Sequence, residues 1–325
     1  MKISMMFHRS NPPEALPDYA QRAEAAGFDE VWVVEDLPFG GGISQAAIAL
    51  AVTQKIQVGL GILPAVVRNP AYLAMEIATL ARTYPGRFLP GIGHGVAHWI
   101  KQVGAFPSSQ LAALEETTAA VRALLDGNTV IADGQHVHLD TVALEYPPDN
   151  APPISLGVRG PKSLAVAGRV ADGTILAEVS APTYVKWARE RIAESQRAAG
   201  RSEHHTMTVF THCSVGPDPV AARDALRPML AERFQLKRVG PQLEPSGIVP
   251  QLKALHERVG SDNLADNLPE EWLDQFAVCG SPEQCAASIR MLADAGADSV
   301  VLVPIAEPLA MMARLSETVL PLLRG

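Results

Sequence analysis

Ala23-Glu24-Ala25-Ala26-Gly27-Phe28-Asp29-Glu30-Val31-Trp32-Val33-Val34 reads as the end of a helix, a glycine and an apolar strand. Near the other end of the chain, Leu292-Ala293-Asp294-Ala295-Gly296-Ala297-Asp298-Ser299-Val300-Val301-Leu302-Val303 repeats the unit. Ala167-Gly168-Arg169-Val170-Ala171-Asp172-Gly173-Thr174-Ile175-Leu176 is a looser third copy. Glycine suits the left-handed position that closes a helix. Strands apolar on both faces are what a parallel sheet requires. Recurrence of such units at both ends and in the middle favours an α/β fold of the (β/α)8, or TIM-barrel, kind over an open sheet.

Working outward, apolar runs predict strands at 2–7, 30–34, 57–62, 88–92, 154–158, 173–177, 206–214 and 299–303. Helical patterns fall at 14–26, 43–53, 70–83, 108–126, 161–170, 182–199 and 281–295, with 307–323 as a closing helix. Pro70 and Pro161 stand where a first turn tolerates proline. Ser281-Pro282-Glu283-Gln284 offers a serine cap, an N1 proline and a glutamine at N3. Two stretches exceed the eight minimal units. Residues 127–150 read as an inserted hairpin with Asp133-Gly134 at its turn. Residues 216–280 read as an excursion after the seventh strand, either a cover over the site or extra helices packed outside the barrel.

The 325 residues are 47% hydrophobic, enough for one large core, so residues 1–325 are expected to form a single barrel domain. No window approaches the roughly 20 apolar residues of a membrane span, and the N-terminus lacks the pattern of a signal peptide. Cys213, Cys279 and Cys285 show no metal-site spacing; a redox pair of Cys279 with Cys285 is open, ordinary thiols are favoured, and a reduced, cytoplasmic protein is expected. A net charge of −8 with acids and bases interspersed argues against nucleic acid as a partner. Neither His136 with His138 nor His204 with His205 comes with a matching ligand set, so no metal is assigned. Ser108, Ser109 and Cys213 have no evident base beside them, so no covalent nucleophile is assigned. The expectation is a small-molecule substrate, with the chain acting alone or as a homodimer.

In barrels of this kind the chemistry sits at the C-terminal strand ends. The second strand ends at Glu35-Asp36, two carboxylates able to accept hydrogen bonds or move protons; a helix cap or an arginine partner is the structural alternative. The third strand carries Gly59 and Gly61 before Ile62 and Leu63, as a bulge, as a close approach of backbone to a planar ligand, or simply for core packing. The fourth ends Gly91-Ile92-Gly93-His94-Gly95, where His94 can donate a hydrogen bond or relay a proton near neutral pH, or be a satisfied structural histidine. The fifth runs Gly157-Val158-Arg159-Gly160-Pro161-Lys162-Ser163, a strand entering a helix whose free N–H groups and two bases make the best phosphate candidate. A solvated pair beside an ordinary cap is the alternative there. Phe7, His8 and Glu178 are expected at the same mouth, touching substrate.

These segments, in this order and with Arg68-Asn69-Pro70 and Tyr84-Pro85-Gly86-Arg87-Phe88, resemble the bacterial luciferase-like monooxygenase superfamily, and within it the branch that uses the deazaflavin coenzyme F420. The resemblance covers most of 1–180 and returns at 276–305. It implies a non-proline cis peptide at Gly61-Ile62 behind the deazaflavin ring, Gly93-His94-Gly95 lining the cofactor, and the turn 157–163 holding the phosphate of its tail. The hairpin at 129–145 also matches the family. Two departures stand out. Many deazaflavin members carry Asp-His where this chain has Glu35-Asp36, and the sugar-phosphate dehydrogenases of the branch carry glutamate where this chain has Val96. Sugar-phosphate oxidation is therefore not expected.

The resemblance implies a hydride passing between the deazaflavin and an imine-like or activated C=C or C=O substrate. His94 is favoured as proton donor, with Glu35 or Asp36 orienting ring or histidine; a carboxyl whose pKa burial raises is the competing donor. The alternatives are an FMN-dependent monooxygenase that activates oxygen and a non-catalytic flavin-binding protein.

Overall fold

The helix–glycine–strand units form as read at two of the three places. In the computed structural model, which describes residues 1–325 apart from the Arg238 side chain, Gly27 and Gly296 adopt φ of 82° and 110°. They follow the helices Leu16–Ala25 and Pro282–Asp294. A side chain is disfavoured in that conformation, so glycine ends the helix and turns the chain into the strand. Gly168 differs. It lies within the helix Pro161–Val170, and a Cβ on it would meet the Ile192 carbonyl oxygen at 2.6 Å. There glycine lets the helix Pro182–Ala198 approach closely.

The strands in chain order are β1 (Lys2–Met6), β2 (Glu30–Val33), β3 (Gln57–Pro64), β4 (Phe88–Gly93), β5 (Val130–Asp133), β6 (His138–Val142), β7 (Ser155–Gly157), β8 (Gly173–Leu176), β9 (Thr206–Val215), β10 (Val278–Gly280) and β11 (Ser299–Pro304). Strands β1, β2, β3, β4, β7, β8, β9 and β11 pair in parallel in that order. The β8–β9 and β11–β1 ladders close them into an eight-stranded TIM barrel. Each of the eight expected runs is one of these strands, with ends shifted by a few residues. The Gly61-Ile62 peptide is cis, as the resemblance implies, and Leu37-Pro38 is cis as well.

Strand alternation divides the core in two. Ile3, Met5 and Phe7 face the helices, whereas Met6, Trp32, Phe210, Val301 and Val303 fill the barrel. Below this apolar layer, buried Glu30 accepts hydrogen bonds from Ser4 Oγ (2.9 Å), Ser299 Oγ (2.8 Å) and Trp32 Nε1 (2.7 Å), and pairs with Lys2. A carboxylate is tolerated in a core when its oxygens are occupied in this way.

The hairpin β5–β6 is antiparallel, its turn held by Glu116, which accepts the N–H groups of Gln135, His136 and Val137. The excursion forms extra helices, one of the two alternatives read from the sequence. Its helices Arg227–Arg233, Val249–Val259 and Glu270–Phe276 build a core of their own, with Phe234 edge-on to Trp272 and Phe276 at 5.7 and 5.1 Å. It also touches the barrel mouth, where Gln242 Nε2 donates to the carbonyls of Ala177 and Glu178 at 3.2 Å.

Two elements were not expected, the short helix Ala97–Gln102 and β10. The closing helix is interrupted by a π turn at Leu315–Val319 just before Pro321, which lacks the N–H an unbroken helix would use. The cap at Ser281 forms as read, with the reciprocal Gln284 bond.

Strand β10 matters for the site. Residues Thr206–Val209 of β9 pair with β8, and Cys213–Val215 pair with β10. Between the two ladders, Phe210, Thr211 and His212 have no strand on that edge.

Candidate active site

The mouth has two dissimilar walls. On the first, Glu35 at the end of β2 accepts both terminal nitrogens of Arg68 (2.5 and 2.8 Å) and the Gly42 N–H (2.8 Å). It thereby caps the helix Gly42–Val52, whose Gly41 N-cap has no side chain to do so. Arg68 also pairs with Glu76 at 3.2 Å. Glu35, expected among the proton-handling groups, is thus engaged as a cap and ion-pair partner. Asp36 pairs with Arg9 at 2.5 Å, and the Arg9 guanidinium lies over Phe39 and Trp99 at 5.3 and 5.5 Å. Three strand-end loops are pinned together there. A cleft of about 620 Å³ opens beside them, lined by Glu35, Asp36, Phe39, Arg68, Val96 and Trp99 among others. His94, expected to share a pocket with the carboxylates, does not line this cleft.

His94 belongs to the next sector. Burial is the main influence on its imidazole and lowers the pKa; the Gln110 backbone raises it in part and nearby Arg159 lowers it further. The shift favours the neutral imidazole, which suits a hydrogen-bonding group or proton acceptor better than a standing acid.

The glycines around it have steric reasons. A Cβ on Gly93 or Gly157 would come within 2.9 and 2.5 Å of the Ile62 side chain, and one on Gly59 within 2.2 Å of the Trp32 ring. A Cβ on Gly61 would approach Phe210 Cζ at 3.1 Å. Core packing thus accounts for these positions, with Gly93 and Gly157 accommodating Ile62, Gly59 accommodating Trp32 and Gly61 facing Phe210.

The turn after β7 keeps the features expected of an anion site. Gly160 is the N-cap of Pro161–Val170 and offers no side-chain cap. Arg159 and Lys162 are exposed and form no ion pair among the described residues. Tyr184 Oη donates to the Arg159 carbonyl at 2.7 Å and holds the turn, while Ser163 Oγ donates to the Gly160 carbonyl at 3.1 Å. A Cβ placed on Gly160 would meet Pro241 of the excursion at 3.8 Å, an ordinary van der Waals contact, while the Arg159 and Lys162 side chains stay exposed.

The second wall contains His8, Glu178 and a residue that sequence reasoning missed, His212. Phe7, expected beside them, is a correction. It points away from the mouth, buried against Tyr19 with ring centroids 5.3 Å apart, because β1 alternates and the inner phase falls on Ser4, Met6 and His8 instead. His8 Nδ1 meets Ser10 Oγ at 2.7 Å, and burial, with Arg9 next, lowers its pKa while Glu178 and Asp36 oppose the shift. Glu178 precedes Val179, a β-branched residue held at φ 67°, an unusual conformation of the kind found at functional sites.

His212 is 6% exposed, and neither ring nitrogen has a hydrogen-bond partner. The Val303 backbone, its neighbour across the β9–β11 ladder, is near enough to affect its titration but not at hydrogen-bonding geometry. Burial drives its pKa down to about 4 against the opposing charge of Glu178, with Arg233 of the excursion and His8 adding to the fall. The available signal was one histidine on the inner phase of a strand, two residues after Phe210.

Cys213, Cys279 and Cys285 are buried free thiols whose pKa values burial pushes up, as befits inert packing groups. Among the described residues no helix is long and apolar enough to cross a membrane.

A closed parallel barrel with polar side chains gathered at its C-terminal strand ends is the architecture in which barrel enzymes place their active sites. The chain belongs to the luciferase-like monooxygenase family, whose model matches residues 1–299. It is 28% identical over 309 residues to 5,10-methylenetetrahydromethanopterin reductase of Methanolobus tindarius, covering 93% of each chain. It is also 28% identical over 331 residues to F420-dependent glucose-6-phosphate dehydrogenase of Kineococcus radiotolerans, covering 96% of this chain and 94% of that one. The coenzyme F420-dependent tetrahydromethanopterin reductase of Methanopyrus kandleri has the same fold, with a TM-score of 0.84, 22% identity and 99% of both chains covered.

Proposed function

We propose that the protein is an F420-dependent oxidoreductase moving a hydride between the deazaflavin and an imine-like or activated C=C or C=O group of a small molecule. The observation that carries this reading is that a 5,10-methylenetetrahydromethanopterin reductase and an F420-dependent glucose-6-phosphate dehydrogenase align over nearly the whole chain, with the exposed basic residues of the turn after β7 inside the alignment. That turn fits an anionic tail. Gly157, Val158, Arg159, Gly160, Pro161, Lys162 and Ser163 would hold the phosphate through first-turn N–H groups and two free cations. Gly61, Ile62 and Leu63 of β3, with Gly93, His94 and Gly95 of β4, would flank the ring. When bound, the deazaflavin supplies or takes the hydride; the protein orients it and excludes water. Neutral His94 would exchange the accompanying proton or hold it in a hydrogen bond, and Asp36, with Glu35 fixing its loop, would orient the polar edge of the site. His8 and Glu178 would face substrate.

The test is turnover. Enzyme loaded with reduced F420 is mixed under nitrogen with a panel of cyclic imines, enones and ketones, and the return of oxidised deazaflavin absorbance is followed. Oxidation by at least one class is expected. No reaction with any, together with substrate-dependent oxygen uptake when reduced FMN is supplied, would replace this reading by the FMN monooxygenase one.

A further inference from the structure

Strand β9 lies diametrically across the barrel from β3, four strands away in either direction. Its inward residue Phe210 spans the lumen to Gly61, leaving 3.1 Å between Cζ and a Cβ placed on that glycine, and is edge-on to Trp32 at 5.5 Å. The aromatic pair floors the mouth. His212 is the next inward residue, one strand repeat nearer the C-terminal end, in the gap where β8 has stopped and β10 has not begun. It therefore faces the Gly61-Ile62 wall from the opposite side.

Buried polar atoms in native proteins almost always have a partner, and an orphan calls for an explanation. Here both nitrogens of one ring are orphaned while the acids on the first wall each have an arginine. The groups facing His212 are Glu178 from the β8 end, His8 from the β1 end and Arg233 from the excursion, none at hydrogen-bond distance. Arg233 forms no ion pair among the described residues.

We propose that His212 is a substrate-binding residue, whose two ring nitrogens hydrogen-bond a heteroatom group of the substrate at the floor of the mouth, across from Gly61-Ile62. A neutral imidazole carries one donor and one acceptor. It matches a group with both characters, such as an amide, a hydroxy-carbonyl or a protonated imine nitrogen beside a carbonyl. The buried ring takes part by hydrogen bonding, and no covalent step is assigned to it. This deepens the oxidoreductase reading and rests on it for the identity of the reaction, not for the binding site.

The experiment uses the full chain with 13C-labelled histidine rings and acetamide as the probe, because acetamide presents an acceptor and a donor side by side. The His212 signal is identified by its loss in His212→Leu. Acetamide is titrated into the free enzyme and into the F420-loaded enzyme. A saturable shift of the His212 signal is expected in both, with F420 affinity in His212→Leu and His212→Gln within twofold of wild type. Because the ring is unsatisfied when the site is empty, His212→Leu is expected to raise Tm by roughly 2–4 °C, whereas a structural histidine would lower it. An unmoved His212 signal overturns the proposal. So does a Tm lowered by several degrees in both variants, or a tenfold loss of F420 affinity, which would make His212 a cofactor residue. Failure of wild type to bind F420 overturns the cofactor reading alone, since the shift in the free enzyme still decides the role of His212.

Discussion

The two walls of the mouth use their polar groups in opposite ways. On the β2–β3 side each carboxylate is matched, Glu35 by Arg68 and Gly42, Asp36 by Arg9, and the aromatic rings of Phe39 and Trp99 cover the second pair. On the β8–β9 side the buried ring of His212 has no partner, and the backbone beside Glu178 adopts a left-handed conformation at a valine. The turn after β7 resembles the second wall, with an uncapped helix start and two free cations. Groups that the fold has already satisfied hold loops in place. Groups left unsatisfied are available to a ligand, because only then does binding replace a missing interaction.

The largest expected effect tests His94, which stands between the walls. His94→Gln should lower turnover by about 10²-fold, at the low end for loss of a proton-exchanging group, and leave F420 affinity nearly unchanged. Wild-type rates would remove the assignment, and a collapse seen in Asp36→Asn alone would move it across to the first wall.

Next in size, Glu35→Ala should cost about 2–3 kcal/mol of stability in denaturant titration. It strips a bidentate partner from Arg68, whose side chain is 24% exposed against 14% for Glu35, so the penalty falls somewhat below that of a fully buried pair. Asp36→Asn breaks a more exposed pair and should cost well under 1 kcal/mol. Equal losses would mean that the first wall is not organised around Glu35.

A smaller effect separates the walls by pH. The unfolded chain takes up a proton at His212 near pH 6.5, and the folded ring refuses it until about pH 4. Its contribution to stability is therefore present above pH 6.5 and lost as pH falls through that window. From pH 7 to 5 wild type should lose about 1–2 kcal/mol more than His212→Leu. His205, also depressed to about 4 by burial and near Arg189 and Arg201, contributes equally to both proteins and cancels in the comparison. Identical pH profiles would show that His212 is hydrated.

The contrast explains what could be read from sequence. Strands apolar on both faces and helix-ending glycines at 27 and 296 are local signals, so the barrel and its strand positions were legible. The cis peptide at Gly61-Ile62 was legible through the family resemblance. Partnership was not. Arg68 is 33 residues from Glu35, and Arg9 is 27 from Asp36, with no periodic pattern linking either pair. The glycines at 93 and 157 read from sequence only as a cradle, and that the Ile62 side chain packs against both is visible only in the structure. Phe7 and His8 were assigned to the mouth together, although adjacent strand residues face opposite ways; only the phase of β1 against its helices decides which one enters the lumen. The same phase, fixed by Phe210 in β9, brings His212 inside.

The most direct measurement is a fluorescence titration of the purified protein with F420 and, in parallel, with FMN, for wild type and for a variant combining Arg159→Ala and Lys162→Ala. The account predicts saturable F420 binding by wild type, much weaker FMN binding, and at least a tenfold loss of F420 affinity in the variant, from one charge-assisted bond of about 1.5–3 kcal/mol. Preferential binding of FMN, or F420 affinity unchanged when both bases are gone, would contradict it.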